Sequence, residues 1–428
     1  MAPAPLKVLI VAVYHPDLVK GGSQQVAYEL FQELSDREDV APVLLAAANG
    51  RDSILFRPDV RITGFDGRPN EYLYLTHDYD HWWQKNADPA LTEAYVAFLR
   101  ATAPDVVHFH HFLNIGVDII SLTRRILPSC RIVFTFHEFL AICQADGQMV
   151  RRTDRSLCRK PSPIRCHQCF PERHPDEFAV RKLWFSQHLA QVDEFTCPTR
   201  FMIEHYVDWG IPREKISWVT NGQQSYAPPG ARSVPARKPP NRFGYFGQLH
   251  DSKGVHVVFR AVNILRSEGF TDFRVEVNGD NIHFASSAMQ AEIQDFLAAE
   301  AALPPNERIV VENGAYDLDQ LHRRMTTIDW SIVPSIWWEI FGLVISEAWM
   351  FGKPVICSNV GGMAERVRDN VDGLHFEMGN PRALADAIRR ACTEKGLWER
   401  LHGALPEPPT RAHMADLFTA MYRLPAPR

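Results

Sequence analysis

The sequence predicts an α/β protein built from two doubly wound, Rossmann-like lobes. Short apolar runs alternate with longer amphipathic stretches, the pattern of parallel strands joined by crossover helices. Two such series stand on either side of a proline-rich break at 226–241. The length of 428 residues gives two to three domains at roughly 150 residues each. In the first series the expected strands are Leu6–Val13, Pro42–Ala47, Asp105–Phe109, Arg131–Phe136, Glu194–Cys197 and Lys215–Thr220. The break, YAPPGARSVPARKPPN, reads as a linker, because its prolines lock φ and lack the amide that a helix or a central strand needs. The second series is Arg242–Phe246, Phe273–Val277, Arg308–Glu312, Asp329–Val333 and Pro354–Cys357. After a second break at Leu405–Thr410, the stretch 411–424 carries Met414, Leu417, Phe418 and Met421 at helical spacing, a stripe that must be buried on a neighbour.

Composition narrows the function. With 46% hydrophobic and 23% charged residues the chain is globular in character, and a net charge of -5 argues against nucleic acid as the main partner. There is no run of about 20 apolar residues, and Met1 leads straight into a strand-like segment, so a cytoplasmic protein is expected. In that setting the eight cysteines are expected to be reduced.

Chemistry concentrates in Ser331–Gly352, SIVPSIWWEIFGLVISEAWMFG. A strand should end at Pro334-Ser335, a loop should carry Trp337, Trp338 and Glu339, and a helix should begin near Gly342 and stop at Gly352. The amides of Phe341, Gly342 and Leu343 then become donors at a helix start, suited to a phosphate. Glu339 and Glu347 flank that site, although taken singly either is as readily a helix-dipole partner or a solvated residue. Gly21 and Gly22 follow the first strand, where the missing Cβ atoms let backbone approach a ligand.

The longer stretch PSIWWEIFGLVISEAWMFGKPVICSNVGGMAERV resembles the donor-binding signature of retaining GT-B glycosyltransferases, specifically family 4. The pattern is a Glu, seven residues, a second Glu, a Gly-x-Pro-Val strand and a small-residue loop ending in Glu. The resemblance implies two Rossmann-like lobes facing a central cleft. Residues 1–225 and the helix 411–424, crossing back, would form the acceptor lobe, and 242–405 the donor lobe. It implies transfer of a hexosyl group from a nucleotide-diphosphate-sugar donor to the hydroxyl of a saccharide or lipid-linked saccharide, with retention, in bacterial polysaccharide or glycoconjugate synthesis. Glu339 would lie near the donor sugar and Glu347 would bind the ribose. Lys253 would clamp the leaving diphosphate, with Gln248 standing where family members commonly carry Arg. His137 would face the donor sugar, Gly21 and Gly22 would border the donor, and Asn221-Gly222 would lie near the hinge. No catalytic cofactor or Mg²⁺ is implied.

Two rival functions are an oxidoreductase or epimerase, disfavoured because G-x-G-x-x-G is absent after the first strand, and a non-catalytic assembly subunit. Two Asp pairs are set aside. Asp78-Tyr79-Asp80 has the spacing of a metal-binding pair but is expected in an acceptor-side loop with no buried strand before it, and Asp317-Leu318-Asp319 reads as a helix start.

Four cysteines crowd together at Cys143, Cys158, Cys166 and Cys169, the last two forming C-x-x-C. Four thiolates can close one structural zinc site, and a long irregular insertion needs such a staple. The spacing of 14 and then 7 intervening residues is not that of a standard finger, which leaves packing or redox roles open. The adjacent basic run Arg151, Arg152, Arg155, Arg159, Lys160 and Arg165 reads as a solvated surface by default, or as a contact with a diphosphate-linked acceptor or with anionic lipid at the inner membrane face.

Overall fold

The computed structural model describes residues 4–49, 60–65, 67–233 and 238–424. The chain divides into two compact units, Met1–Gln224 with Pro409–Arg428, and Ser225–Pro408.

In the first unit the strands are β1 (Leu6–Ala12), β2 (Val40–Asn49), β3 (Ile62–Gly64), β4 (Glu71–Thr76), β5 (Tyr79–Asp80), β6 (Lys85–Asn86), β7 (Val106–Phe109), β8 (Arg131–Thr135), β9 (Glu194–Cys197) and β10 (Ile216–Trp218). Eight of these form one sheet in the order β10-β9-β8-β7-β1-β2-β4-β3, parallel except for the β3–β4 pair. Val8–Ala12 are buried, as expected of a central parallel strand covered on both faces. The order reverses between β1 and β7, so the ligand crevice of this sheet lies at the carboxyl ends of those strands.

Some expectations fail here. Strand β4 was not expected, yet it is buried and lies directly before Asp78. Asp80 nevertheless serves a local purpose, since its Oδ1 accepts from the amides of Trp82 (2.9 Å) and Trp83 (3.0 Å). On the last helix, Arg411–Tyr422, the buried residues include Met414, Phe418, Met421 and Tyr422, whereas Leu417 is exposed. That helix packs on Gly22–Ser35, where Arg411 Nε meets Glu33 at 2.9 Å. Gly222 allows the chain to re-enter, because a Cβ there would stand 2.1 Å from the Thr410 carbonyl oxygen.

The second unit holds β11 (Arg242–Phe246), β12 (Arg274–Asn278), β13 (Val310–Gly314), β14 (Trp330–Val333), β15 (Val355–Ser358) and β16 (Gly373–Phe376). They form a parallel sheet in the order β13-β12-β11-β14-β15-β16, and β16 was not expected from the sequence. The reversal between β11 and β14 puts the crevice after Phe246 and Val333. The described part of the proline-rich stretch is packed rather than free. Arg232 donates to the carbonyls of Trp349, Leu405 and Pro406, and Tyr226 and Ala227 pack on the core. Residues 234–237 of that expected linker lie outside the described residues.

Candidate active site

In the second unit the site is built from the turns after β11 and β14. After β11 the chain makes a tight turn through Asp251–Lys253 and closes it with Gly254 at φ 73°. Any side chain at Gly254 would collide with the Pro334 carbonyl, 2.0 Å from the position of a Cβ. That contact and the Ile336 N to Ser252 O bond of 2.8 Å dock the two turns on each other. Lys253 Nζ thereby reaches Glu339 Oε2 at 2.7 Å. Ser335 Oγ and Trp337 Nε1 donate to the same oxygen, each at 3.1 Å. The ammonium also lies 5.2 Å from the centre of the Trp337 ring. Gln248 is exposed, with its carbonyl taken by Tyr245.

The helix Leu343–Met350 starts at Gly342 with φ 69°, close to the expected position. Its entry is held by a residue the sequence did not single out. Arg366 donates to the carbonyls of Phe341 and Gly342, both at 2.9 Å, and to Ser346 Oγ at 2.7 Å. In a trans peptide the carbonyl and the following N–H point in opposite directions, so fixing those carbonyls turns the amides of Gly342 and Leu343 away from Arg366. The guanidinium lies 3.6 Å from the centre of the Phe341 ring, and burial pushes it down to about 9. Gly361-Gly362 closes the other side: Gly362 N donates to Glu339 O at 2.7 Å, and a Cβ on Gly362 would stand 2.0 Å from the Ile340 carbonyl oxygen. Glu347, one turn into the helix, is half-buried near Tyr316, whose hydroxyl is pushed up by burial and then by the Glu347 charge.

In the first unit His137 lies just beyond β8 and shares a buried cluster with His110, beyond β7. His110 Nδ1 and His137 Nε2 are 3.0 Å apart, with the rings stacked at 18°. Burial, and then the neighbouring histidines, hold both well below the usual histidine range, so both are neutral at pH 7. His108 ties this cluster to the last helix through Tyr422 Oη (2.6 Å) and to Thr135 Oγ1 (2.7 Å). His111 accepts from Leu113 N on Nδ1, so its neutral ring carries the proton on Nε2, 3.4 Å from Glu138 Oε1. Burial pushes the Glu138 carboxyl up to about 8. Gly21, in extended backbone at φ -178°, caps the helix Gly22–Ser35 after β1.

Cys143, Cys158, Cys166 and Cys169 all line one small cavity in the first unit, and all eight cysteines carry free thiols. Among the described residues no group of three or more His, Cys, Asp or Glu side chains is placed to hold a metal ion, the four cysteines included. Likewise, no described helix is long and apolar enough to cross a membrane.

The two sheets, each with a crevice lined by charged or titratable side chains, define a two-domain Rossmann-like enzyme. Residues 231–404 match the family model Glycosyl transferases group 1, and residues 20–223 match Glycosyltransferase Family 4. A D-inositol 3-phosphate glycosyltransferase of Mycolicibacterium gilvum is 24% identical over 413 residues, covering 90% of this chain and 82% of its own. The glycogen synthase of Mycobacterium tuberculosis strain H37Rv is 28% identical over 205 residues, covering 48% and 46%. Among solved structures, Anabaena HepE in complex with UDP superposes with a TM-score of 0.65 at 16% identity, covering 97% of this chain and 99% of its own. Sucrose-phosphate synthase of Thermosynechococcus elongatus also gives 0.65, at 17% identity and 97% and 98% coverage. The chain is a glycosyltransferase of the GT-B fold.

Proposed function

We propose that the chain transfers a sugar from a nucleotide-diphosphate-sugar donor to an acceptor hydroxyl with retention at the anomeric carbon. The observation that carries this reading is the Lys253–Glu339 pair beside the helix entry at Gly342. The amides of Gly342 and Leu343, with Lys253, offer fixed positive charge to a leaving diphosphate. Glu347 takes the ribose hydroxyls.

Among the described residues, Lys253, Ser335 and Trp337 all donate to Oε2 of the Glu339 carboxylate. Oε1 is thus the oxygen for a sugar hydroxyl, and a carboxylate so heavily hydrogen-bonded is a poor nucleophile. The reaction therefore runs on one face of the sugar: the anomeric carbon–phosphate bond breaks, the acceptor oxygen bonds on the same face, and the acceptor proton passes to the departing phosphate oxygen. His137, neutral in its buried cluster, is assigned to the transferred sugar. With charge supplied by Lys253 and the amides, turnover needs no added Mg²⁺.

HepE was solved with UDP, which makes UDP-sugars the first donors to test. In a thermal-shift panel of UDP, GDP, ADP, TDP and CMP sugars, at least one nucleoside-diphosphate sugar should raise Tm and be slowly hydrolysed in EDTA. A ligand at 100 times its Kd stabilises by about 2.7 kcal/mol. No stabilisation and no hydrolysis by any of them would reject the proposal.

A further inference from the structure

We propose that Cys143, Cys158, Cys166 and Cys169 bind one zinc ion as a tetrathiolate that holds the 141–170 segment together, remote in role from glycosyl transfer. The backbone gathers these residues by separate devices. Cys143 N donates to Phe139 O at 2.7 Å, at the start of the segment. An antiparallel bridge between Val150 and Leu157 folds the chain back, and Cys158 N donates to Met149 O at 2.7 Å. Ser162 caps the short helix Pro163–Cys169, which presents Cys166 and Cys169 one turn apart on the same side. All four then line a cavity of about 30 Å³, shared with Arg151, Arg165 and Phe178. The shell closes when the four side chains turn inward onto that cavity.

Two further observations ask for such a ligand. The helix Pro163–Cys169 buries none of its residues, and Ile164 is 66% exposed, so apolar packing does not anchor it. A helix of that length is not stable alone in water. Secondly, Arg181 is 3% exposed, and its guanidinium donates to the main-chain carbonyls of Trp82 (3.1 Å), Ala141 (3.2 Å) and Leu140 (2.9 Å). It lines a neighbouring cavity together with Cys166. A zinc ion held by four thiolates carries a net charge of -2 and sets an anion beside this buried guanidinium, the displaced thiol protons passing to solvent. Among available metals, four thiolates in tetrahedral geometry select zinc.

The full chain, purified reduced and without chelator, should contain about one zinc by elemental analysis. The Cys166→Ser, Cys169→Ser double variant should lose nearly all of it, whereas Cys392→Ser should keep it. Should the double variant fail to fold, cobalt exchange into the wild type decides: sulfur-to-cobalt charge transfer with tetrahedral d–d bands is expected. Folded, reduced wild type that holds neither zinc nor cobalt would overturn the proposal. So would stoichiometric iron in place of zinc, or a disulfide among the four cysteines.

Discussion

The Lys253 ammonium stands 2.7 Å from Oε2 of Glu339, 86 residues further along the chain. The residue expected to neutralise phosphate and the residue expected to hold the sugar are thus one ion pair, joined by the docking of two turns through Gly254. In the proposed reaction the pair would fix the lysine where charge develops on the leaving group, and a preorganised charge contributes most to rate.

Lys253→Ala should therefore lower kcat by about 10²–10³ with the fold intact, the usual cost of removing one preorganised donor. Steady-state kinetics and a melting curve check it together. A near-normal kcat would remove Lys253 from the catalytic set.

Arg366→Met should leave the carbonyls of Phe341 and Gly342 without their donor, a loss of about 1–3 kcal/mol. Lower Tm and a donor Kd raised several-fold are expected. Unchanged donor affinity in the folded variant would show that the entry to the helix Leu343–Met350 needs no such anchor.

Glu138 gives a pH dependence with a defined sign. Its folded carboxyl loses a proton near 8, against an ordinary value of 4.5. Between those values the folded state binds more protons than the unfolded, so this group erodes stability as pH rises, by at most about 1.4 kcal/mol per unit. The histidines His108, His110, His111 and His137, all lowered by burial, act oppositely and cost stability as pH falls below 6.5. Glu138→Gln should flatten only the loss between about pH 5 and 8 in urea midpoints. An identical slope in the variant would contradict the assignment.

Much of this architecture was legible because its signals are local. Apolar runs marked most of the strands, and Gly342 and Gly352-Lys353-Pro354 marked the ends of the helix between β14 and β15. What escaped depended on tertiary contact. β4 hides in EYLYLT, an aromatic stretch whose burial comes from lying between β2 and β3 and from ring contacts with Tyr95 and Phe98. β16 is four residues long and begins with Gly373, where a Cβ would stand 2.4 Å from the Val355 carbonyl oxygen. Arg366 looks like any helix-end arginine until its guanidinium is found on Phe341 O and Gly342 O. The pairing of His110 with His137 likewise required the β7–β8 register.

The most direct test of the account is calorimetric titration of wild type and Glu347→Ala with the nucleoside-diphosphate sugar that stabilises the protein, in EDTA at a level shown to leave any cysteine-bound zinc in place. Wild type should bind one donor per chain, and the variant should bind it about 10–100 times more weakly, the value of a hydrogen bond to a charged group at about 1.5–3 kcal/mol. Equal affinity in the two proteins, or binding that appears only when Mg²⁺ is restored, would contradict the account.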